Sequence, residues 1–153
     1  MGNIKKYAFK RIGERLKKLE AEPEELYGFL EDSVWYPNEL FLDQIHEMVI
    51  REYGGYTGYE TGIHLYKVIL AEVRKVEGTC EKAATLLRKF ITSPRIFQDG
   101  NHRTAQIVVE TFLQKNGKQM WTDNSQEIYM FIKHAIEYNI EEIAEWLEHG
   151  PEE

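Results

Sequence analysis

The residues best able to do chemistry form one run, Arg95–Gln106. It reads Arg-Ile-Phe-Gln-Asp-Gly-Asn-His-Arg-Thr-Ala-Gln, which places a carboxylate, a Gly-Asn turn and an arginine just before a predicted helix. Gly100 and Asn101 can adopt the backbone conformations that turn amide N–H groups towards an anion, and the N-terminus of the helix adds the positive end of its dipole. Asp99 could hold Mg2+, and Arg103 could bind phosphate oxygens through two N–H groups. The run therefore predicts a phosphate-binding site.

Composition indicates one compact, acidic domain. The 153 residues are 42% hydrophobic and 12% aromatic, which is enough for a core. A net charge of -7 argues against a nucleic-acid-binding face, because binding to a phosphate backbone relies on clustered Lys and Arg. The basic residues are dispersed except between Lys5 and Lys18. That cluster is either the solvated face of a helix, which we favour, or a patch for a polyanion.

The expected cellular address is the cytoplasm. Cys80 is the single cysteine, so no intrachain disulfide can form and a zinc cluster lacks its usual thiolates. The sequence contains neither an apolar run of about 18 residues, as a membrane span requires, nor the apolar segment of a secretory signal. We therefore expect a protein that binds no nucleic acid and no membrane.

Apolar residues recur at helical spacing over most of the chain, so we expect an all-α fold. Asn38, Asn124 and Asn139 are candidate N-caps, the last two as capping boxes. The loop Gly54–Gly62 holds four glycines in nine residues, which indicates a flexible loop or a small hairpin. Helices are expected over residues 2–20, from Pro23 to Leu30, from Asn38 to Gly54, from Thr61 or Ile63 to Val76, from a Thr79 cap to Thr92, from the motif to Gly117, from Asn124, and from Asn139 to Gly150.

The motif and its flanks resemble the Fic/Doc family, with the Doc-like (death-on-curing) toxins as the closer branch. The matching run is Phe97–Ala105, preceded by Ala-Ala-Thr-Leu-Leu-Arg-Lys-Phe-Ile and followed by a helix that ends Phe-Leu-Gln-Lys-Asn-Gly. Ile45–Gly55 also looks like the helix and glycine loop that precede the flap in these toxins. The resemblance covers about residues 40–120. It implies a single domain over residues 1–153, with a helical N-terminal extension (1–37), the family core (40–120) and C-terminal helices (121–153).

The resemblance also implies a function and an architecture. The fold would be a helical bundle with a helix-loop-helix nucleotide site and a short flap hairpin at Gly54–Gly62. A nucleoside triphosphate such as ATP, with Mg2+, would donate AMP or a terminal phosphate to a hydroxyl of a target protein. The target would dock at the flap by strand addition. An antitoxin or another inhibitor protein would come from a separate chain, because residues 1–37 and 118–153 contain no match to the family's inhibitory helix.

The family's roles carry over to particular residues of the motif. Phe97 would anchor the loop in the core, and Asp99 would hold or orient Mg2+. Gly100 and Asn101 would form the anion-binding turn, with the Asn101 side chain also pinning the loop. Arg103 would bind a phosphate.

The sequence departs from the family motif at three positions. Arg95 stands where the family has the histidine that acts as general base, and a guanidinium, which is always protonated in proteins, cannot accept the proton. His102 replaces a glycine or lysine and could either attract phosphate or crowd the nucleotide. Gln106 replaces the last arginine of the AMP-transferring motif, which weakens the prediction of AMP transfer more than that of phosphate transfer. His102 and His64 are the alternative bases, although neither occupies the lost position.

Two functional hypotheses therefore stay open. The chain is either a nucleotidyltransferase or phosphotransferase with an altered motif, or a regulatory or toxin-antitoxin-type binding module in which Arg95 serves as a phosphate clamp. Large aromatic residues near the C-terminus could form the site for an inhibitor, although packing in the core is the favoured interpretation. They are Trp121, Tyr129, Tyr138 and Trp146.

Overall fold

The computed structural model describes residues 24–151, together with Glu14 and Lys17. Apart from Glu14 and Lys17, which are helical, the helix predicted over residues 2–20 lies outside the described residues, as does the predicted start at Pro23. The elements in chain order are α1 (Glu24–Tyr27), β1 (Gly28–Glu31), β2 (Val34–Pro37), α2 (Glu39–Tyr53), α3 (His64–Lys75), α4 (Thr79–Ile91), α5 (Asn101–Lys115), α6 (Ser125–His134), a 3-10 turn (Ala135–Glu137) and α7 (Ile140–His149).

The fold is mostly helical, as predicted, with one small antiparallel sheet. The long helix α4 lies at the centre and packs against α3, α5 and α7. α5 is covered in turn by α2, α6 and β2. No helix within residues 24–151 combines the length and the apolar character that a bilayer span requires.

The helix predicted from Pro23 to Leu30 is present only as α1 and ends at Tyr27, because the chain forms a hairpin from Gly28 onwards. Strands β1 and β2 pair antiparallel with Glu31 opposite Val34, so only Asp32 and Ser33 lie in the turn. Both turn residues have positive φ (51° and 65°), the backbone of a two-residue turn that matches the twist of the strands. Strands of four residues are too short to display a clear period of two, so the alternation of apolar and polar residues does not predict them.

The predicted helix starts are mostly confirmed by their capping contacts. The side-chain oxygen of Asn38 accepts a hydrogen bond from Phe41 N, and Asn139 forms a full capping box with Glu142. Asn124 caps α6 by accepting from Glu127 N, although the reciprocal bond of a capping box is not formed there. Thr79 is the first residue of α4 and not its cap, which is Gly78 at a φ of 93°.

The predicted inward faces form one hydrophobic core. In α2 the stripe Leu42, Ile45 and Val49 is at most 1% exposed. Ile136 was predicted to be inside and is 51% exposed, because the 3-10 turn after α6 changes the rotation of successive side chains. The other predicted core residues, with Phe131 only partly buried, are Ala83, Leu86, Leu87, Phe90, Ala105, Val108, Thr111, Phe112, Ile128, Ile132, Ala135, Ile143, Ala144 and Leu147.

The loop Gly54–Gly62 does not fold into the predicted flap hairpin. It pairs instead with the motif segment, through hydrogen bonds from Glu60 N to Ile96 O (2.9 Å) and from Gln98 N to Gly58 O (3.1 Å). Tyr59 and Phe97 form an isolated antiparallel bridge. The peptide groups that a hairpin would pair within the loop are therefore bonded across to residues 95–98.

Glu110 on α5 gives the fold a predictable pH dependence. Burial raises the pKa of this carboxyl from 4.5 to about 7, opposed by a hydrogen bond from Gln106. The folded state therefore holds the proton more tightly than the unfolded state, and the free energy of unfolding falls as the pH rises from 4.5 through 7. Relative to Glu110→Gln, wild type should lose about 2–3 kcal/mol between pH 5 and pH 8, measured by urea unfolding. Parallel pH profiles for the two proteins would contradict this expectation.

Candidate functional site

The motif loop connects α4 to α5 and is anchored by Phe97. This side chain is fully buried, and its ring stacks on the imidazole of His46 with centroids 3.6 Å apart and planes 6° apart. Tyr59 from the neighbouring loop stacks on it at 5.6 Å, and Phe90 of α4 lies 6.4 Å away. The loop is thus held in the core by an aromatic cluster drawn from three segments.

The Asn101 side chain fixes the shape of the loop. It is 3% exposed, donates from Nδ2 to the Phe97 carbonyl oxygen (2.7 Å) and accepts at Oδ1 from Phe97 N (3.3 Å). One amide therefore satisfies both backbone groups of Phe97, which lie buried and would otherwise lack partners. These bonds close a loop of five residues, Phe97–Asn101, at the start of α5.

The N-terminus of α5 has no side-chain cap among the described residues. Gly100 is its N-cap, in the left-handed conformation at φ 80° and ψ 12°. A Cβ at Gly100 would approach Ile50 Cδ1 and Val49 Cγ1 to 3.2 Å, so the close packing of α2 also favours glycine. Uncapped N–H groups and the helix dipole together attract negative charge.

Asp99 links the loop to two other segments. Its Oδ2 accepts from Tyr56 N (2.8 Å), and its carbonyl oxygen accepts from His46 Nε2 (2.9 Å). Within the described part of the chain, no three His, Cys, Asp or Glu side chains come together as a metal site. Asp99 could therefore contribute a single carboxylate to Mg2+, with the remaining ligands supplied by a phosphorylated ligand and water.

His46 belongs to the site, although the sequence analysis did not select it. It is 4% exposed, and because its partner is a carbonyl oxygen, Nε2 carries the proton. Burial lowers the pKa of His46, opposed by the bond to Asp99. The imidazole is thus a neutral support for the loop. The sequence does indicate that His46 is buried, because it follows Ile45 on the inward face of α2.

Arg95 is paired with Glu60 from the loop that covers the motif. Its guanidinium lies 3.3 Å from Glu60 Oε1, and Arg95 N donates to Glu60 Oε2 (3.1 Å). These bonds lower the pKa of the Glu60 carboxyl. Thr61 N also donates to the Arg95 carbonyl oxygen (3.1 Å), so the loop is attached at both the backbone and the side chain.

Arg103 and His102 follow in the first turn of α5. The Arg103 guanidinium carbon lies 3.7 Å from the ring centre of Tyr53 and 4.0 Å from that of Tyr129. Burial raises the pKa of Tyr53, and Arg103 opposes that shift. His102 is partly buried, and its pKa is lowered by burial and then by the positive charges of Arg95 and Lys133. Its imidazole is therefore neutral at pH 7.

Gln106 lies deeper along α5 and is 1% exposed. Its Nε2 donates to Ser125 O (3.1 Å) and Ser125 Oγ (3.2 Å), so its donors join α5 to the start of α6. His64, the other candidate base, begins α3 and is exposed to solvent.

The structure therefore brings Arg95, Asp99, Gly100, Asn101, His102 and Arg103 into one loop and helix start. Four residues outside the motif also contact this site. They are Tyr53, Tyr56, Glu60 and Tyr129. No protein-family model matches the chain, and no curated protein matches its sequence. The chemistry of the site therefore carries the functional interpretation.

Proposed function

We propose that the chain binds a nucleoside triphosphate at the N-terminus of α5, in a fold related to the Fic/Doc proteins. The observation that carries the proposal is the uncapped start of α5, where left-handed Gly100 is followed by free N–H groups and by Arg103. Backbone N–H groups, a helix dipole and a guanidinium form a common arrangement for binding phosphate. Arg95 adds a second guanidinium in the same loop.

Three observations support the relation to Fic/Doc proteins. Phe97 is buried in the core, Asn101 bonds to the backbone of the loop, and the motif joins two packed helices. These are the roles and the helix-loop-helix setting that the resemblance implies.

Mg2+ would bind through Asp99 together with phosphate oxygens. A single carboxylate with phosphate and water ligands is a usual coordination for this ion. When bound, Mg2+ would offset the charge of the phosphates. The Tyr56 N–H and the His46 imidazole hold Asp99 in place for this role.

Binding without efficient turnover is the function that this geometry favours. Arg95 cannot accept a proton, and its guanidinium is already paired with Glu60. When a nucleotide is bound, the Arg95 guanidinium would bind a phosphate. While no ligand is bound, Glu60 is its partner. The protein would then serve as a regulatory or toxin-antitoxin-type binding module.

A transferase is the second candidate, and His102 is the observation in its favour. Its pKa is lowered, so at neutral pH the imidazole is free to accept a proton. AMP or phosphate would pass to a hydroxyl of a target protein docked at the loop Gly54–Gly62. There the Tyr56 ring is 74% exposed and is available to a partner. An inhibitor protein would bind at the same loop.

Arg103→Ala is expected to weaken binding of Mg·ATP at least about tenfold, because a charge-assisted bond to phosphate contributes about 1.5–3 kcal/mol. Isothermal titration calorimetry on the full chain measures the affinity. Arg74→Ala is the matched control, since Arg74 pairs with Glu31 on another surface. It should bind as wild type does. Equal affinity for the two variants would mean that nucleotide, if bound, lies elsewhere.

A further inference from the structure

We propose that a cleft beside the C-terminal half of α5 binds a small organic cation of the amine type. The cleft has a volume of about 610 Å3 and lies between α5, residues 118–123 and the start of α6. None of the motif residues from Arg95 to Arg103 lines it. It is therefore separate from the nucleotide site proposed above, and the inference does not depend on that site.

Glu110 is the reason to expect a positive charge in the ligand. Its carboxyl lines the cleft, and among the described residues its one hydrogen bond is a long contact of 3.4 Å from Gln106 Nε2. No described Lys, Arg or His forms an ion pair with it. A carboxyl that is largely shielded from water and has no cationic partner is costly to ionise, and partly buried Glu110 therefore has its pKa raised to about 7. An ammonium group in the cleft would supply the missing charge.

The rest of the lining favours a cation over an anion. Asp123 contributes a second carboxylate to the lining. Lys118 also lines the cleft, but its ammonium forms an ion pair with Glu148 at 3.5 Å. The residues of α6 that line the cleft, Ser125 and Ile128, carry no charge.

The apolar part of the wall suits the carbon chain of an amine. Met120, Leu113 and the indole of Trp121 line the cleft. Aromatic rings attract ammonium groups through their electron-rich faces, and apolar walls bury alkyl carbons. The volume is in the range of sites for small molecules. A compact primary amine with a short alkyl chain is the simplest ligand that matches these walls.

The test is a titration of the full chain with n-butylammonium chloride at pH 8 and constant ionic strength, followed by the indole 15N–1H resonances. The expected result is a saturable shift of the Trp121 signal, with 1-butanol, the neutral analogue, giving little response. Glu110→Gln should weaken binding at least about tenfold, because it removes the charge. Glu127→Gln, at an exposed position in the first turn of α6, is the matched control and should bind as wild type does.

A pH series on wild type provides an independent readout that needs no variant. The affinity should fall about tenfold from pH 8 to pH 6, because the ionised fraction of a carboxyl with a pKa of about 7 falls from roughly 0.9 to 0.1. Absence of a saturable shift, equal binding of 1-butanol, or the same affinity at both pH values would overturn the proposal. Retained binding in a folded Glu110→Gln protein would do so as well.

Discussion

Arg95→His is expected to raise transfer of phosphate or AMP to a protein target by about two to four orders of magnitude, equivalent to about 3–5 kcal/mol of transition-state stabilisation. The substitution places an imidazole base at the motif position where the Fic/Doc family, which the sequence resembles, has its histidine. The rest of the proposed site is already present, with the uncapped start of α5, Asp99 and Arg103 in place. Under the transferase hypothesis, the proton acceptor is the main group that wild type lacks.

The control for this experiment is Arg95→Gln. Both substitutions remove the guanidinium and its pair with Glu60, while the backbone bonds that hold the loop Gly54–Gly62 remain in both. Only the histidine adds a base. A difference between the two variants therefore measures proton transfer and not release of the loop.

The assay uses ATP labelled at the α or the γ phosphate, with a cell lysate as the source of targets. Label from the α position means nucleotidyl transfer, and label from the γ position means phosphoryl transfer. If wild type and both variants all leave protein labelling at background, the transferase hypothesis is wrong. Strong labelling by wild type itself would show that Arg95 does not block the reaction, and His102 would become the base to test.

The helices of this fold could be predicted because their signals are local. Asn38 and Asn139 cap helices through bonds to N–H groups only three residues away, and the apolar stripes follow the helical period. The hairpin Gly28–Pro37 could not be predicted in this way. Its second strand is held by the side chain of Asn116, which accepts from Trp35 N (2.8 Å) and donates to Trp35 O (2.9 Å) across 81 positions of sequence. No window around the hairpin contains that information.

The same distinction applies to the site. The residues of the motif stand together in sequence, so their types and spacing were sufficient to identify them. Their partners come from other segments: His46 and Tyr53 from α2, Glu60 from the following loop, and Tyr129 from α6. Which aromatic ring would lie on Arg103 depends on how α2 and α6 pack on α5, and this packing is not readable from the motif. For Tyr129 the sequence favours packing in the core over a C-terminal partner site, whereas the ring contacts the arginine of the site.

Asn101→Ala is expected to lower the free energy of unfolding by about 3–4 kcal/mol, because it leaves the buried N–H and C=O of Phe97 without partners. Both groups now bond to the Asn101 amide, and neither side chain is more than 3% exposed. Urea unfolding monitored by circular dichroism measures the change. Asn124→Ala is the matched control, since it removes an exposed helix cap and should cost only about 1 kcal/mol. Equal losses in the two variants would mean that the loop is not held by this amide.

Asn101→Asp separates loss of the hydrogen bonds from loss of volume. The new carboxylate keeps the shape of the amide and can still accept from Phe97 N, but it has no proton to donate to the Phe97 carbonyl oxygen. Burial against that oxygen should raise the pKa of the new carboxyl. The folded state then binds the proton more tightly than the unfolded state does, so the variant should gain stability relative to wild type as the pH falls, when the protonated acid can donate. A cavity effect would show no such pH dependence. The same variant should bind nucleotide poorly at neutral pH, because the bonds of the Asn101 side chain to Phe97 help to shape the turn that carries Asp99 and Gly100.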